Sequence, residues 1–287
     1  MNILDDLKLQ YKTGGMVQKL IFWNIGFFVL FSLTEVVLKF SNIAFTYFDW
    51  VALSSNTTEF LAKPWTLVTF SFFHAGIFHL IFNLLVLHFS GRLFNTYFTD
   101  KQLFGVYLLG GIFSGLTFVL LYFLLGKTSL LVGASGAIMA LLIASATYAP
   151  FMLLRIPLIG IVKLWHVAFV ILLVDLIQLP LENMGGHLAH LGGAFFGFIY
   201  IKLLQSGKDL TKPISSCIDG IVSFLQPKKK TPFKKVHRNT IKKSVHSYSQ
   251  NKDITQKQID EILDKISKSG YDSLTKEEKE FLFKAGK

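Results

Sequence analysis

The chain has little charge and little sulfur for its length. Of its 287 residues, 16% are charged and 52% are hydrophobic, whereas soluble domains carry about 25% charged residues. The mean hydropathy is +0.48. This composition excludes an ordinary soluble enzyme and indicates a membrane protein. Cys217 is the single cysteine, which excludes an intramolecular disulfide.

Charge is also unevenly distributed. Between Asp100 and Asp175 the sequence contains no Asp or Glu. Residues 206–287 carry eighteen Lys and Arg against ten Asp and Glu, a surplus of eight out of the formal net charge of +11. The basic character therefore belongs to the tail and says little about the apolar part of the chain.

The apolar part contains six stretches long enough to cross a bilayer core, which requires about twenty mostly apolar residues per helix. These predicted spans are 18–40, 76–97, 102–125, 131–149, 156–179 and 186–205. Residues 41–75 separate the first two spans and are too polar to cross the membrane. Because this segment is rich in Trp, Tyr and Phe, we expect it to lie at the membrane interface.

Positive residues predict the orientation of the spans. They cluster before the first span, at the connections after the second and fourth spans, and after the sixth span: Lys8, Lys12, Lys19, Arg92, Lys101, Arg155, Lys163 and Lys202. Since cytoplasmic loops carry an excess of Lys and Arg, we expect both termini in the cytoplasm.

The predicted organisation is therefore a cytoplasmic N-terminus (1–17), a six-span domain (18–205), a basic linker (206–252) and a small helical hairpin (253–287). Residues 228–243 hold eight basic residues and no acid. They are interpreted either as a solvated linker or as a strip attracted to anionic lipid head groups. Nucleic-acid binding is not expected beside six membrane spans.

Polar residues recur near the start of the even-numbered spans. The second span contains His79 and Asn83, the fourth contains Ser135, and the sixth contains His190. Because these three spans run in the same direction, their starts lie on one side of the membrane. We therefore expect the four side chains at a similar depth, below the outer surface.

This set of residues suggests nucleophilic catalysis. A serine hydroxyl needs a base to remove its proton, and histidine is the usual base, so Ser135 and His190 form a candidate pair. A tetrahedral intermediate needs hydrogen-bond donors for its oxyanion, which His79 and Asn83, four residues apart on one helical face, could supply.

Small residues support this arrangement. Gly133 and Gly136 leave room for a close approach to Ser135. Gly136 with Ala140, and Gly193 with Gly197, form pairs that let helices pack closely.

An acid that could complete a triad is hard to find. Asp175 in the fifth span is the only candidate, and an intramembrane acid is a functional-site hypothesis in itself. It could equally bond a neighbouring helix. We interpret the site as a Ser135–His190 dyad and leave the role of Asp175 open.

Three motifs in order resemble the signature of the rhomboid intramembrane serine proteases of bacterial type: HAGIFHLIFN (74–83), GASG (133–136) and AHLGGAFFG (189–197). The resemblance implies an all-α bundle of six transmembrane helices in the cell (inner) membrane. It also implies a Ser135 nucleophile, a His190 base, an oxyanion hole with His79 and Asn83, and a supporting role for His74. Transmembrane protein substrates are expected, with no metal or cofactor.

Two other classes of function remain open. A non-catalytic rhomboid-like protein could bind transmembrane clients, although the intact Ser135 and His190 argue against this. A metal site or transporter could be built from four histidines: His74, His79, His187 and His190. We disfavour it because these histidines lack nearby carboxylate or thiolate residues in the sequence.

Overall fold

The computed structural model describes residues 2–44, 46–181, 183–225 and 248–285. It divides into two compact units, residues 1–227 and 228–287. The basic segment 228–243 lies outside the described residues, so its contact with anionic lipid stays a prediction.

The first unit is mainly helical. Its helices are α1 (Ile3–Thr13), α2 (Met16–Phe40), α3 (Phe48–Val51), α4 (Thr57–Ala62), α5 (Thr66–Thr69), α6 (Ile77–Asn95), α7 (Asp100–Leu124), α8 (Ser135–Tyr148), α9 (Leu164–Gln178), α10 (Met184–Gln205) and α11 (Lys212–Leu225). Strand β1 (Leu53–Ser54) pairs antiparallel with β2 (Leu130–Leu131), and β3 (Leu153–Ile156) pairs antiparallel with β4 (Gly160–Lys163). The predicted all-α membrane class is confirmed, with two short strand pairs added.

Four of the six predicted spans are long and apolar enough to cross a membrane, namely α2, α6, α7 and α10. Helices α8 and α9 have only 14 and 15 residues. At 1.5 Å per residue they extend about 21–23 Å, less than the roughly 30 Å of a hydrocarbon core.

The predicted boundaries of these two spans were wrong at their starts. Residues 131–134 are not helical because Leu131 pairs with Leu53 and Gly133 adopts φ 134°. Residues 156–163 belong to the β3–β4 hairpin, which has Leu158 in its turn at φ 69° and Gly160 at the start of β4 at φ 101°. Apolar composition alone does not distinguish a short strand from a helix, so the sequence predicts both segments as parts of spans.

Helix α8 is the centre of the bundle. Every residue from Gly136 to Ala146 is buried, and α6, α7, α9 and α10 all pack against it. A helix that is apolar on every side is expected to lie inside a larger core. Protein, rather than lipid, therefore surrounds α8, so it need not be as long as a lipid-facing span.

The contact between α8 and α10 is a contact between backbones. A Cβ atom on Gly193 would collide with the carbonyl group of Gly136, and one on Gly197 would collide with the carbonyl group of Ala140. Small residues at such positions allow helix axes to come unusually close. These glycines thereby set how near the start of α8 can lie to the first half of α10.

The opposite end of the bundle is held by Asp100 at the start of α7. Its Oδ2 accepts a hydrogen bond from the backbone N–H of Met16 at 2.9 Å, and its Oδ1 accepts one from Asn95 Nδ2 at 2.9 Å. Gln102 Nε2 donates to Asp209 Oδ2 at 3.2 Å. The start of α2 and the segment after α10 thus lie at the same end, which fits termini on one side of the membrane; which side stays a prediction.

The second unit contains α12 (Tyr248–Ser269), a 3-10 turn (Tyr271–Ser273) and α13 (Lys276–Ala285). Gly270 turns the chain at φ 77°. Thr275 and Glu278 form reciprocal side-chain to backbone bonds at the start of α13, the arrangement of a capping box. The two predicted helices are present, and the first begins at Tyr248 rather than near 253.

The glycine contact between α8 and α10 generates a stability prediction. Gly193→Ala should lower the free energy of unfolding by about 1–3 kcal/mol, because the new methyl group forces two backbones apart. The matched control is Gly26→Ala in α2, where a Cβ would meet no atom within 4 Å; this variant should be as stable as wild type or slightly more so. Thermal unfolding in detergent measures both, and equal stability of the two variants would contradict the backbone contact.

Candidate active site

A cavity of about 760 Å³ lies among α6, α8, α9 and α10. The four residues with predicted chemical roles, Ser135, His190, His79 and Asn83, all line it. Much of the remaining wall is apolar and includes Phe82, Val86, Ile138, Met139, Val170, Ile171 and Val174. An apolar pocket with a few convergent polar groups is the usual form of a binding or active site.

Ser135 is the first residue of α8 and lies two residues after Gly133. Gly133 has φ 134°, a conformation that side-chain-bearing residues rarely adopt. A Cβ at Gly133 would lie 2.9 Å from both Cε1 and Nε2 of His79 and 3.7 Å from Ser135 Oγ. The missing side chain therefore lets the His79 ring and the serine hydroxyl approach the same point. The N–H groups of the first helical turn have no intrahelical acceptor and are available to a ligand there.

His190 is oriented by a carboxylate. Its Nδ1 lies 2.8 Å from Asp175 Oδ1, and because a carboxylate only accepts, Nδ1 is the donor. In a neutral imidazole this leaves Nε2 as the acceptor. Among the described hydrogen bonds, none joins Ser135 and His190, although both residues line the cavity.

The same carboxylate oxygen accepts a hydrogen bond from a second imidazole. His187 Nδ1 lies 2.7 Å from Asp175 Oδ1, and His187 and His190 are three residues apart on one face of α10. Asp175 Oδ2 is buried and has no hydrogen-bond partner in the described part of the chain. The sequence offers Asp175 as the only candidate acid for a triad and leaves its role open, and it does not link His187 to Asp175.

This cluster corrects one argument from the sequence. The expectation that the histidines lack carboxylate company is wrong for His187 and His190, since α9 brings Asp175 to both. Their ligand atoms all lie within 4.8 Å of one another, a spacing that could hold a metal ion. The signal that could have revealed this cluster was an isolated aspartate in an apolar helix facing two histidines at i and i+3.

Asn83 and His79 form the α6 wall of the site. Asn83 is buried and donates from Nδ2 to the carbonyl oxygen of His79 at 2.9 Å. The His79 ring meets the His74 ring edge to face, with centroids 5.1 Å apart. His74 is thus in contact with a cavity residue but does not itself line the cavity.

A family model described as the rhomboid domain matches residues 61–206, half of the chain. The chain belongs to the rhomboid family. The predicted rhomboid-like bundle is thereby confirmed, while the match leaves residues 1–60, including α2, outside it. A second model, a family of unknown function (DUF6576), matches residues 245–284 of this rhomboid.

Curated relatives of this rhomboid include mitochondrial presenilin-associated rhomboid-like proteins. The Mus musculus protein is 33% identical over 152 residues, covering 52% of this chain and 40% of that protein. The Danio rerio protein A is 33% identical over 140 residues, covering 47% and 36%. The Homo sapiens protein is 32% identical over 153 residues, covering 52% and 39%. The aligned part of this rhomboid spans about two fifths of the length of these relatives.

His74 generates a pH prediction. It is 1% exposed, and neither ring nitrogen has a hydrogen-bond partner in the described residues. Burial, and to a smaller extent the neighbouring His79, lowers the pKa of His74 from 6.5 to about 3. Between about pH 3 and pH 6.5, His74 therefore binds a proton in the unfolded chain but stays neutral in the folded chain.

Stability should accordingly fall as the pH drops below about 6.5, by up to about 1.4 kcal/mol per pH unit from this residue, until the pH nears 3. Unfolding of wild type in detergent between about pH 4 and 6.5 measures this slope. His74→Gln should have a shallower slope, whereas His88→Gln, at an exposed position, should keep the slope of wild type. An unchanged slope in His74→Gln would refute the assignment.

Proposed function

We propose that this rhomboid is an intramembrane serine endopeptidase that hydrolyses peptide bonds of transmembrane protein substrates. The observation that carries the proposal is one cavity lined by both Ser135 and His190, with His190 Nδ1 bonded to Asp175 Oδ1. That bond leaves Nε2 of His190 as the basic atom, as a serine hydrolase requires.

In the proposed acylation, Ser135 Oγ attacks the substrate carbonyl carbon while His190 Nε2 takes the hydroxyl proton. The carbonyl π electrons move to oxygen, which gives a tetrahedral oxyanion. Substrate binding must first bring Oγ and Nε2 within hydrogen-bond reach, a contact that often tightens only in the substrate complex.

The oxyanion needs preorganised donors. The N–H of Ser135 at the start of α8 and the side chains of His79 and Asn83 on α6 are the proposed set. Asn83 Nδ2 donates one hydrogen bond to the His79 carbonyl oxygen and has a second N–H that can donate to the oxyanion. Gly133 leaves the approach to this point free of a side chain.

The intermediate then collapses. The C–N bond breaks, the leaving amine takes the proton from His190, and an ester links the substrate to Ser135. Water attacks the ester with His190 again as the base, and Ser135 recovers its proton from His190. The carboxylate and amine products leave, and the proposed steps use only the substrate, this chain and water.

Asp175 is proposed as a positioning residue. Its Oδ1 holds the His190 ring in one tautomer and stabilises the imidazolium that forms on proton transfer. The site is therefore better described as Ser135–His190 supported by Asp175 than as an isolated dyad.

The cavity also fits the proposed substrate class. Its apolar wall suits a hydrophobic segment, and its polar residues suit an exposed peptide group. Because helical carbonyls are enclosed and already hydrogen-bonded, we expect the substrate helix to unwind locally before cleavage. Water must reach the cavity from outside the lipid.

Topology and location complete the proposal. Both termini lie in the cytoplasm of a multi-pass protein of the cell membrane. The order of domains is the one predicted above, but the first unit extends through α11 and the second begins its helices at Tyr248. Lys101, Arg155 and Lys202 support this orientation because positive loops stay cytoplasmic. The relatives named above are described as mitochondrial, and that location is not part of the proposal for this rhomboid.

The catalytic assignment is tested with a fluorophosphonate probe and a model transmembrane substrate. Wild type should be labelled and should cleave, whereas Ser135→Ala and His190→Ala should each lose cleavage by about a thousandfold or more. His88→Ala, with an exposed side chain, should match wild type. Equal cleavage by wild type and Ser135→Ala would contradict the proposed mechanism. Binding of a transmembrane client without labelling by the probe would support a non-catalytic rhomboid-like protein.

The role of Asp175 is tested by separating kcat from KM. Asp175→Asn should lower kcat about tenfold or more with KM nearly unchanged, because the His190 ring loses its orientation and its counter-charge. Asp175→Glu should recover part of that loss. Asp219→Asn is the matched control, since Asp219 pairs with Lys101 in an exposed ion pair that contributes little. A rise in KM alone would show that Asp175 does not position the base.

A further inference from the structure

The proposed reaction uses only two of the three residues in the polar cluster on α9 and α10. Asp175 Oδ1 accepts from His190 at 2.8 Å and from His187 at 2.7 Å, yet one imidazole is enough to act as the base. His187 is buried, and a buried polar side chain needs a reason to be kept. The second histidine requires its own explanation.

The three groups converge as metal ligands do. One ring nitrogen of His187, one ring nitrogen of His190 and one carboxylate oxygen of Asp175 lie within 4.8 Å of one another, and Nδ1 is the nitrogen nearest the carboxylate in both rings. In a tetrahedral zinc site with bonds of about 2.0–2.2 Å, neighbouring ligand atoms are roughly 3.3 Å apart. The present separations of 2.7 and 2.8 Å from Oδ1 need to widen by less than an ångström.

Two further features favour a cation here. Asp175 Oδ2 is buried and has no partner in the described residues, so the carboxylate has acceptor capacity to spare. Asp175 and His190 also line the 760 Å³ cavity, which gives an ion a route in and leaves a fourth coordination position for water.

We propose that His187, His190 and Asp175 form an inhibitory Zn²⁺ site. Two imidazole nitrogens, one carboxylate oxygen and one open position match the preferences of zinc. Mg²⁺ and Ca²⁺ prefer all-oxygen sites and should not compete.

Zinc at this site blocks the base by moving its proton. A zinc ion takes a lone pair from Nδ1 of both His187 and His190, so the proton that each Nδ1 carried passes through water to Nε2 of the same ring and both rings stay neutral. The Nε2–H of His190 then has no lone pair for the Ser135 proton. This consequence rests on the proposed protease function, whereas zinc binding itself does not.

Binding is tested without reference to catalysis. The full chain in detergent, carrying Ser135→Ala and Cys217→Ser, is titrated with Co²⁺ as a spectroscopic substitute for zinc. A tetrahedral d–d absorption band should appear, and equimolar Zn²⁺ should remove it while excess Mg²⁺ does not. The band should be lost in His187→Gln and kept in His166→Gln, whose side chain is exposed elsewhere on α9.

A ligand replacement keeps the test decisive should His187→Gln fold poorly. In His187→Cys, in the same background, a thiolate should replace the imidazole and add a cobalt–thiolate charge-transfer band. Absence of a tetrahedral band in the parent protein, or its persistence in His187→Gln, overturns the site.

Inhibition is tested on the protein with Ser135 intact. Zn²⁺ should inhibit cleavage of the model substrate, and a chelator should restore it. His187→Gln should raise the half-inhibiting zinc concentration at least about tenfold relative to its own zinc-free rate, while His166→Gln should leave it unchanged. Equal zinc sensitivity in wild type and His187→Gln overturns the proposal.

The two hypotheses fail differently. A cobalt band that depends on His187, in a protein that never cleaves substrate, supports the metal site and overturns the protease. Cleavage that depends on Ser135, without a cobalt band or zinc inhibition, supports the protease and overturns the metal site.

Discussion

The close approach of α8 and α10 is the constraint on which the site depends. Gly193 and Gly197 place their Cα atoms against the carbonyl groups of Gly136 and Ala140, so no side chain separates the two backbones. Hydrophobic burial alone cannot provide this proximity in lipid, where a helix gains little by exchanging acyl chains for leucine. Close packing of small residues can, and it brings the serine of one helix and the histidine of the other to the same cavity.

The second constraint is the cost of polar groups in an apolar core. Asp175 would be expensive to bury alone, and two imidazole donors on a single oxygen offset that cost. Helix α9 otherwise buries only Leu164 and Ala168. Asp175 is therefore also the main polar link between α9 and α10, so the group that orients the histidine also helps to hold the cavity wall.

Much of the fold and most of the site could be predicted from sequence. Runs of about twenty apolar residues identified α2, α6, α7 and α10 because a bilayer imposes that length. The motifs around Ser135 and His190 identified the candidate pair because those residue types are rare in apolar helices. The structure brings both to one cavity with His79 and Asn83, and their chemical roles stay proposals.

What could not be predicted depends on contacts between distant residues. The start of α8 is set by the pairing of Leu53 with Leu131, which no local pattern reveals. Residues 156–163 are as apolar as a helix, and only the turn at Leu158 makes them a hairpin. The link from Asp175 to His187 and His190 spans two helices, and spacing along the chain does not encode it.

The pairing of β1 with β2 has a consequence for how this chain can change. Ser55 donates from its backbone to the Ser129 carbonyl at 3.0 Å and accepts from the Ser129 N–H at 2.8 Å, six residues before Ser135. The segment that delivers the serine is thus fastened to the loop after α2, about eighty residues upstream. An insertion, a cut or a bound partner in that loop is therefore expected to shift the position of the Ser135 hydroxyl.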